Sequence, residues 1–158
     1  MKKVLLLLSA VASLSAASAQ KSKMEYKIGV LSPLPVNVYQ NVKLYVGSSL
    51  VEASYKYSNK VRMTLTSGFL RFQNELDKDF TNVPVMAGAR YSVNNTVYFG
   101  ASAGVAFFNK EASVDSRIMY SPYIGIQKGH VSADLQYINW YKFDNSNNNL
   151  ALCISYTL

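Results

Sequence analysis

The sequence has very few of the residues from which disulfides, metal centres and hydrolytic active sites are built. It contains one cysteine, Cys153, and one histidine, His130, in 158 residues. One cysteine cannot form an internal disulfide, and we expect Cys153 to be a small buried side chain. No residue spacing is typical of a metal site, and no glycine pattern is typical of a phosphate-binding loop. We therefore expect no metal and no cofactor.

Enzymatic activity is not expected either. An acid–base enzyme places a proton carrier against a nucleophile. The single histidine directly follows a turn predicted at Lys128-Gly129, and we interpret it as a solvent-exposed turn residue. The sequence also lacks a nucleophile elbow.

Acidic residues are fewer than basic ones, nine against sixteen, which gives a net charge of +7. The lysines and arginines are scattered singly, without a basic run, a recognition helix or a zinc spacing, so nucleic acid is not an expected partner. A basic exported chain is better matched to anionic lipid head groups or lipopolysaccharide, although the charge could also serve solubility alone.

Long apolar runs are missing beyond the N-terminal segment. Lys2 and Lys3 precede an apolar stretch at Val4–Leu8, and small residues follow at Ala17–Ala19. This order predicts a cleaved signal peptide over residues 1–19 and Sec-dependent export, with residues 20–158 as one domain. No later stretch approaches the roughly 20 apolar residues of a membrane helix, so any membrane crossing would have to use strands.

The clearest pattern present is a two-residue alternation over residues 83–108. On the first arm Val83, Val85, Ala87, Ala89, Tyr91 and Val93 share one face. On the second arm Val97, Phe99, Ala101, Ala103, Val105 and Phe107 resume that face. Asn94-Asn95 lies between the arms, as in a tight hairpin turn. Arms of about ten residues are long enough to cross a bilayer at a tilt.

The same alternation recurs along the chain and predicts eight strands. Short turns are expected near residues 58–60, 94–95 and 128–129, and long polar loops near 32–41, 73–82, 109–116 and 142–149. Pro33 and Pro35 should end the first strand, and Pro122 should cause a bulge or a late strand start. Turns at one end and loops at the other indicate an all-β, eight-stranded antiparallel up-and-down transmembrane β-barrel, with both termini in the periplasm.

Aromatic residues on the apolar face group near the two ends of the strands. Aromatic girdles are typical of membrane barrels at the level of the lipid head groups. The predicted girdle towards the turns comprises Tyr55, Tyr57, Tyr91, Phe99 and Tyr156. The predicted girdle towards the loops comprises Phe69, Phe107, Tyr120 and Tyr141.

The opposite face carries charged and amide side chains that would point into the barrel. An eight-stranded barrel is just wide enough to be filled by side chains, and buried charges must be paired. The predicted polar network of the lumen comprises Glu25, Lys27, Glu52, Lys56, Arg62, Arg90, Asp134 and Gln136. It would either plug the barrel or line a narrow, gated path for water or ions.

Three segments, VPVMAGARYSV, VYFGASAGVAFF and YSPYIGIQKGHVSADLQY, together with the closing apolar strand, resemble the small outer-membrane β-barrel proteins of Gram-negative bacteria, the porin-like or OmpX-type group. The resemblance implies an outer-membrane location and the eight-stranded barrel, and it implies contact with the barrel assembly machinery. Such barrels usually end on an aromatic residue, whereas this chain ends on Leu158, with Tyr156 two residues earlier.

Three functions remain open at the level of sequence. The first is a non-enzymatic, monomeric outer-membrane barrel with a structural role or a cell-surface partner bound through its extracellular loops, since binding residues tend to lie on loops. The second is a narrow channel for ions or small molecules. The third is a soluble secreted barrel that binds a ligand inside and would turn Val85, Ala87 and Leu135 inward.

Overall fold

A computed structural model describes residues 23–34, 42–44, 48–74, 79–110, 113–142 and 145–158, and every regular element within them is a β-strand. No helix in this part of the chain is long and apolar enough to cross a membrane. The predicted signal peptide lies outside the described residues. In chain order the strands are β1 (Met24–Pro33), β2 (Val42–Leu44), β3 (Ser48–Lys56), β4 (Val61–Asn74), β5 (Asp79–Ser92), β6 (Val97–Lys110), β7 (Ser113–Lys128), β8 (Val131–Lys142) and β9 (Asn145–Thr157).

The strands form one closed antiparallel sheet. Each of β3 to β9 pairs with its neighbour in the chain, and β9 pairs back onto β1, which in turn pairs with β3. The short β2 pairs with β4 beyond the end of β3 and so shares the position of β3 in the sheet. The prediction of an eight-stranded antiparallel up-and-down barrel is confirmed.

The register gives the stagger of the closed sheet. A path around the barrel that starts at Lys23 and steps to the paired residue on each next strand returns to β1 at Pro33, ten residues further along. The path passes through Lys56, Arg62, Arg90, Gly100, Tyr123, Gln136 and Ala151. A closed sheet with such a stagger has strands tilted by about 35–45° from the barrel axis, and eight strands leave an interior that side chains can fill.

Three tight turns lie at one end of the barrel, which we call the turn end, and turn side chains hold two of them. The Ser58 hydroxyl accepts hydrogen bonds from the backbone of Lys60 and Val61 at 3.3 and 3.0 Å. The Asn94 amide oxygen accepts from Thr96 and Val97 at 2.8 and 2.7 Å. The third turn uses Gly129, whose φ of 61° suits glycine. Short polar side chains and glycine favour tight turns for these reasons.

The strands run further towards the opposite end, the loop end, than the sequence predicted. Four long loops were expected, but β4 and β5 pair as far as Gln73 and Asp79, β6 and β7 as far as Lys110 and Ser113, and β8 and β9 as far as Lys142 and Asn145. The expected loop bounds were therefore wrong. Polar side chains do not prevent pairing, because backbone groups make the ladder, and a strand that leaves the membrane can expose both faces to water.

Prolines sit inside strands where one neighbour is not paired. β1 continues to Pro33, opposite Ala151 of β9, instead of leaving the sheet. Leu34 donates to β9, so the N–H that Pro33 lacks would point towards the side of β3, whose pairs stop at Leu31. Pro122 also lies within β7. Its pairs with β8 are interrupted between Tyr120 and Tyr123, yet the register is the same on both sides, so the predicted bulge or late start was wrong.

Candidate functional site

The outer wall of the barrel is apolar and exposed. Leu65, Ile124 and Ile154 are 56%, 54% and 56% exposed, whereas Lys27, Arg90 and Asp134 on the alternate positions are only 3%, 3% and 5% exposed. This distribution is the reverse of a water-soluble protein and fits a wall surrounded by hydrocarbon. Val85 and Leu135, which a soluble ligand-binding barrel would turn inward, are exposed as well.

All nine aromatic residues proposed for the girdles are exposed on this wall. Tyr55, Tyr57, Tyr91, Phe99 and Tyr156 lie towards the turn end of their strands, and Phe69, Phe107, Tyr120 and Tyr141 lie further towards the loop end. Tyr91 and Phe99 are cross-strand neighbours with ring centroids 5.3 Å apart. Between the two groups the wall is made of aliphatic side chains.

The interior contains a charged cluster towards the turn end, which we define as Lys27, Glu52, Arg90 and Asp134 with Tyr98 and Tyr123. Arg90 forms an ion pair with Glu52 through Nη2. Its guanidinium carbon lies 4.6 Å from the centroid of the Tyr98 ring, and Lys27 Nζ lies 5.2 Å from the same centroid. The Tyr98 hydroxyl donates to Asp134. Tyr98 thus connects three charged residues: its ring makes cation–π contacts with Arg90 and Lys27, and its hydroxyl is hydrogen-bonded to Asp134.

Lys27 also reaches the neighbouring strands. Its ammonium donates to the Ser132 hydroxyl at 3.2 Å, and the Ser132 and Ser155 hydroxyls are 2.7 Å apart. These contacts link β1 to β8 and β9, next to the β1–β9 seam that closes the barrel.

The remaining residues of the predicted lumen network are placed less deeply. Arg62 and Glu25 form a second ion pair, with side chains 23% and 32% exposed. Gln136 is half-buried and lines the internal cavity described below, and Lys56 is exposed at the turn end. Six of the eight predicted residues thus contact one another or their neighbours inside the barrel. Glu25 pairs with Arg62, Glu52 pairs with Arg90, and Lys27 and Asp134 form hydrogen bonds. Lys56 and Gln136 lie outside these contacts.

Large apolar side chains fill the interior towards the loop end, which the sequence analysis did not anticipate. This apolar cluster comprises Leu31, Leu50, Leu70, Met86, Ala106, Phe108, Met119, Ile138, Trp140, Ala151 and Cys153. Trp140 is fully buried, its ring meets that of Phe108 edge to face at 6.2 Å, and the Arg117 guanidinium lies 4.6 Å from the Phe108 centroid. The half of the barrel nearer the loop end thus has a packed core like that of a soluble protein.

A cavity of about 30 Å³ lies where the two clusters meet. Charged residues such as Lys27 and Asp134 line it on one side, and apolar residues such as Leu50, Met86 and Cys153 on the other. It has room for about one or two water molecules. A space of this size is too small to be an open path through the described part of the barrel.

The arrangement offers little for catalysis. His130 is exposed at the turn end, stacked on Tyr156 with centroids 5.6 Å apart, and its Nδ1 lies 3.0 Å from the Thr157 carbonyl oxygen. It does not reach the buried clusters. Among the described residues, no group of three or more histidine, cysteine, aspartate and glutamate side chains could hold a metal ion.

No protein-family model and no curated protein sequence matches the chain. Solved structures do. The outer-membrane protein Ail of Yersinia pestis in a phospholipid nanodisc matches with a TM-score of 0.61 and 16% identity, over 87% of this chain and 100% of that one. The N-terminal β-barrel domain of Pseudomonas aeruginosa OprF matches with a TM-score of 0.55 and 11% identity, over 87% and 98%. A de novo designed transmembrane β-barrel matches with a TM-score of 0.53 and 13% identity, over 88% and 98%.

The chain has the fold of an outer-membrane β-barrel. At these identities the likeness concerns the fold alone, and the designed protein among the matches shows that the fold can exist without a natural function. The interior of this barrel is filled by the charged cluster and the apolar cluster. The sequence holds only a weak signal for the apolar cluster, because the alternation breaks in Tyr137–Tyr141 of β8, where Ile138, Asn139 and Trp140 are all buried.

Proposed function

We propose that the protein is a non-enzymatic, monomeric protein of the bacterial outer membrane that does not conduct solutes and that contacts a surface partner with its loop end. The observation that carries the proposal is the distribution of side chains, with aliphatic residues exposed on the wall and charged residues buried inside. A barrel of this kind is stable only where hydrocarbon surrounds it. The solved structures with the same fold support the location.

The filled interior argues against the channel hypothesis. A solute would have to cross the ion-paired charged cluster and then the apolar cluster, in which Leu31, Leu70 and Trp140 have no exposed surface. Both would have to move, and the first move would separate buried charges, which is strongly unfavourable. The interior is better suited to hold the wall closed than to pass ions.

The loop end is the better candidate for a contact surface. β4 to β7 are 14 to 16 residues long, more than the roughly 9–11 residues that a strand needs to cross the bilayer. The excess therefore extends beyond the membrane as a rigid rim of paired strands. Such a rim can present side chains to a partner with little loss of conformational entropy on binding. One protein with the same fold is named an attachment invasion locus protein, and we extend to this chain only a role at the cell surface.

Orientation and role are tested together by epitope insertion. Short tags are placed after residue 76, 112 or 144 at the loop end, and after Asn59 or Asn95 at the turn end as matched controls. We expect antibodies to label the loop-end tags on intact cells, and the turn-end tags only after the outer membrane is permeabilised. The outer-membrane fraction should contain the protein, with heat-dependent migration in detergent gels.

A second measurement addresses the surface contact. Cells that express the protein should adhere more strongly to a host-cell monolayer than cells in which residues 75–78 and 143–144 are replaced by glycine and serine. Equal adhesion with equal surface labelling would contradict the contact role and leave the location standing. Recovery of a folded monomer in buffer without detergent would contradict the location itself.

A further inference from the structure

The turn end of the barrel opens into a recess that the proposed function does not use. Its volume is about 490 Å³, within the range of pockets that hold small molecules. Inward-facing residues of the strands and residues of the first two turns line it. Its cationic side chains are Lys56, Lys60, Arg62 and Arg90, and no carboxylate is among the described residues that line it.

The charges of the recess are only partly balanced by the protein. Glu25 pairs with Arg62 and Glu52 pairs with Arg90. Neither Lys56 nor Lys60 forms an ion pair with a described residue. The Lys60 ammonium lies 6.0 Å from the Tyr91 ring on the outer wall, a weak contact that a stronger anionic partner could replace. Two positive charges therefore remain for a ligand to neutralise.

Arg90 lies at the inner end of the recess. It is the most deeply buried of the four cations and is 3% exposed. Its guanidinium contacts Glu52, the Tyr98 ring and the Tyr123 hydroxyl, so the protein itself holds it in place. It closes the inner end of the recess with a fixed positive charge, and the more exposed cations nearer the mouth are the groups that a ligand can reach.

The turn end as a whole is also positively charged. Lys23 and Lys128 are exposed there in addition to Lys56 and Lys60. Of the nine acidic residues, Glu25, Glu52 and Asp134 face the interior of the barrel, and the other six belong to the sequence around the loop-end connections, at positions 75–79, 111–115 and 144. Anions that approach the turn end thus meet a positive potential over the recess.

We propose that this recess binds a small anion with two or three negative charges, carried by phosphate or carboxylate groups, between Lys56, Lys60 and Arg62. The Asn59 and Asn95 side chains complete the site. The binding depends on the recess alone and holds whichever side of the membrane the turn end faces.

The test is isothermal titration calorimetry of the folded protein in zwitterionic detergent, with pyrophosphate and with citrate as probes. We expect saturable binding of one anion per barrel. The variant with Lys56→Gln and Lys60→Gln should bind at least about tenfold more weakly, since a charge-assisted hydrogen bond lost at each lysine removes about that factor. Both lysines are exposed, so the variant should fold, which its heat-dependent migration will show.

The matched control is Lys128→Gln, an exposed lysine of the third turn that does not line the recess. Its affinity should stay within about twofold of the unmodified protein, because distant surface charges are screened. Absence of saturable binding, or an equal loss in both variants, would overturn the proposal.

The source of the anion is distinguished by repeating the titration in nanodiscs of phosphatidylcholine with and without phosphatidylglycerol. An anionic surface also repels pyrophosphate, so the two nanodiscs are compared at high ionic strength, at which this repulsion is screened. Weaker binding that persists there in the anionic nanodiscs assigns the recess to a lipid phosphate. Unchanged binding assigns it to a soluble anion.

Discussion

At the scale of single residues, two ion pairs of the same chemical type lie at different depths. Arg90 and Glu52 have side chains 3% and 15% exposed, whereas those of Arg62 and Glu25 are 23% and 32% exposed. Removing one partner of a buried pair leaves an uncompensated charge, which typically costs about 3–5 kcal/mol. Breaking a half-buried pair costs less, because water partly screens the charge that is left. Depth should therefore decide the effect of the same substitution at the two sites.

We predict that Glu52→Gln lowers the free energy of unfolding by about 3–5 kcal/mol, and that the matched variant Glu25→Gln lowers it by a smaller amount, about 1–3 kcal/mol. Urea unfolding in lipid vesicles, followed by tryptophan fluorescence, measures both. Similar losses in the two variants would contradict the view that Arg90 depends on Glu52 inside the barrel.

Trp140 and Tyr141 are adjacent aromatic residues that face opposite sides of the wall. Trp140 is fully buried in the apolar cluster, and Tyr141 is 50% exposed. We predict a loss of about 3–5 kcal/mol for Trp140→Ala, because it leaves a cavity that its neighbours cannot fill. Tyr141→Ala should cost less than about 1 kcal/mol, because lipid replaces the lost contacts. Denaturant unfolding followed by far-UV circular dichroism suits both variants. A larger loss for Tyr141→Ala would show that the interior is not packed as described.

These residues also show what could be predicted from the sequence. Lys27, Arg90 and Asp134 stand out because each interrupts a strand whose other face is apolar, and a charged residue in such a strand has to face the interior of the barrel. Leu31 and Trp140 give no comparable signal. Leu31 lies between Val30 and Ser32, and Trp140 lies between Asn139 and Tyr141. Each thus has one polar neighbour and one apolar or aromatic neighbour, so a two-residue period does not say which side chain turns inward. That Tyr98 contacts Lys27, Arg90 and Asp134 depends on the stagger of the closed sheet, and the stagger cannot be predicted from a local sequence pattern.

At the scale of strands and connections, the turn end was predictable and the loop end was not. Tight turns depend on local chemistry, as at Ser58, Asn94 and Gly129. The ends of strands near the loops depend on backbone pairing, which polar sequences such as residues 79–82 and 113–116 do not reveal. Alternation reports the environment of the two faces of a strand and does not report whether its backbone is paired.

The extended strands predict slow amide hydrogen exchange outside the bilayer. Asn82 pairs with Leu70 of β4 and Asp115 pairs with Phe108 of β6, and the N–H of each points towards that partner strand. Their amides should therefore exchange at least about a hundredfold more slowly than those of unpaired residues. NMR-detected exchange in nanodiscs measures this, with Asn59 and Asn95 in the turns as references. If these amides exchange as fast as those in the turns, the strands end earlier and the long loops predicted from the sequence are correct.

At the scale of the whole molecule, the charged cluster and the apolar cluster lie one after the other along the barrel axis. The first ties strands together through ion pairs and hydrogen bonds between β1, β3, β5, β6 and β8. The second excludes water through close packing. Because they lie in series, we expect either one alone to close the barrel to ions.

Conductance in planar bilayers should therefore respond only when both clusters are disturbed. We predict no steady current steps from the unmodified protein, from Trp140→Ala, in which the charged cluster still closes the barrel, or from Arg90→Ser with Glu52→Ser, in which the apolar cluster does. The variant that combines all three substitutions should conduct, because removing Trp140 opens space above a region that has lost its ion pair. Heat-dependent migration in detergent gels checks that each variant is folded. Steady steps from the unmodified protein would refute a closed barrel. Steps from a variant in which only one cluster is disturbed would show that the remaining cluster does not seal the barrel by itself.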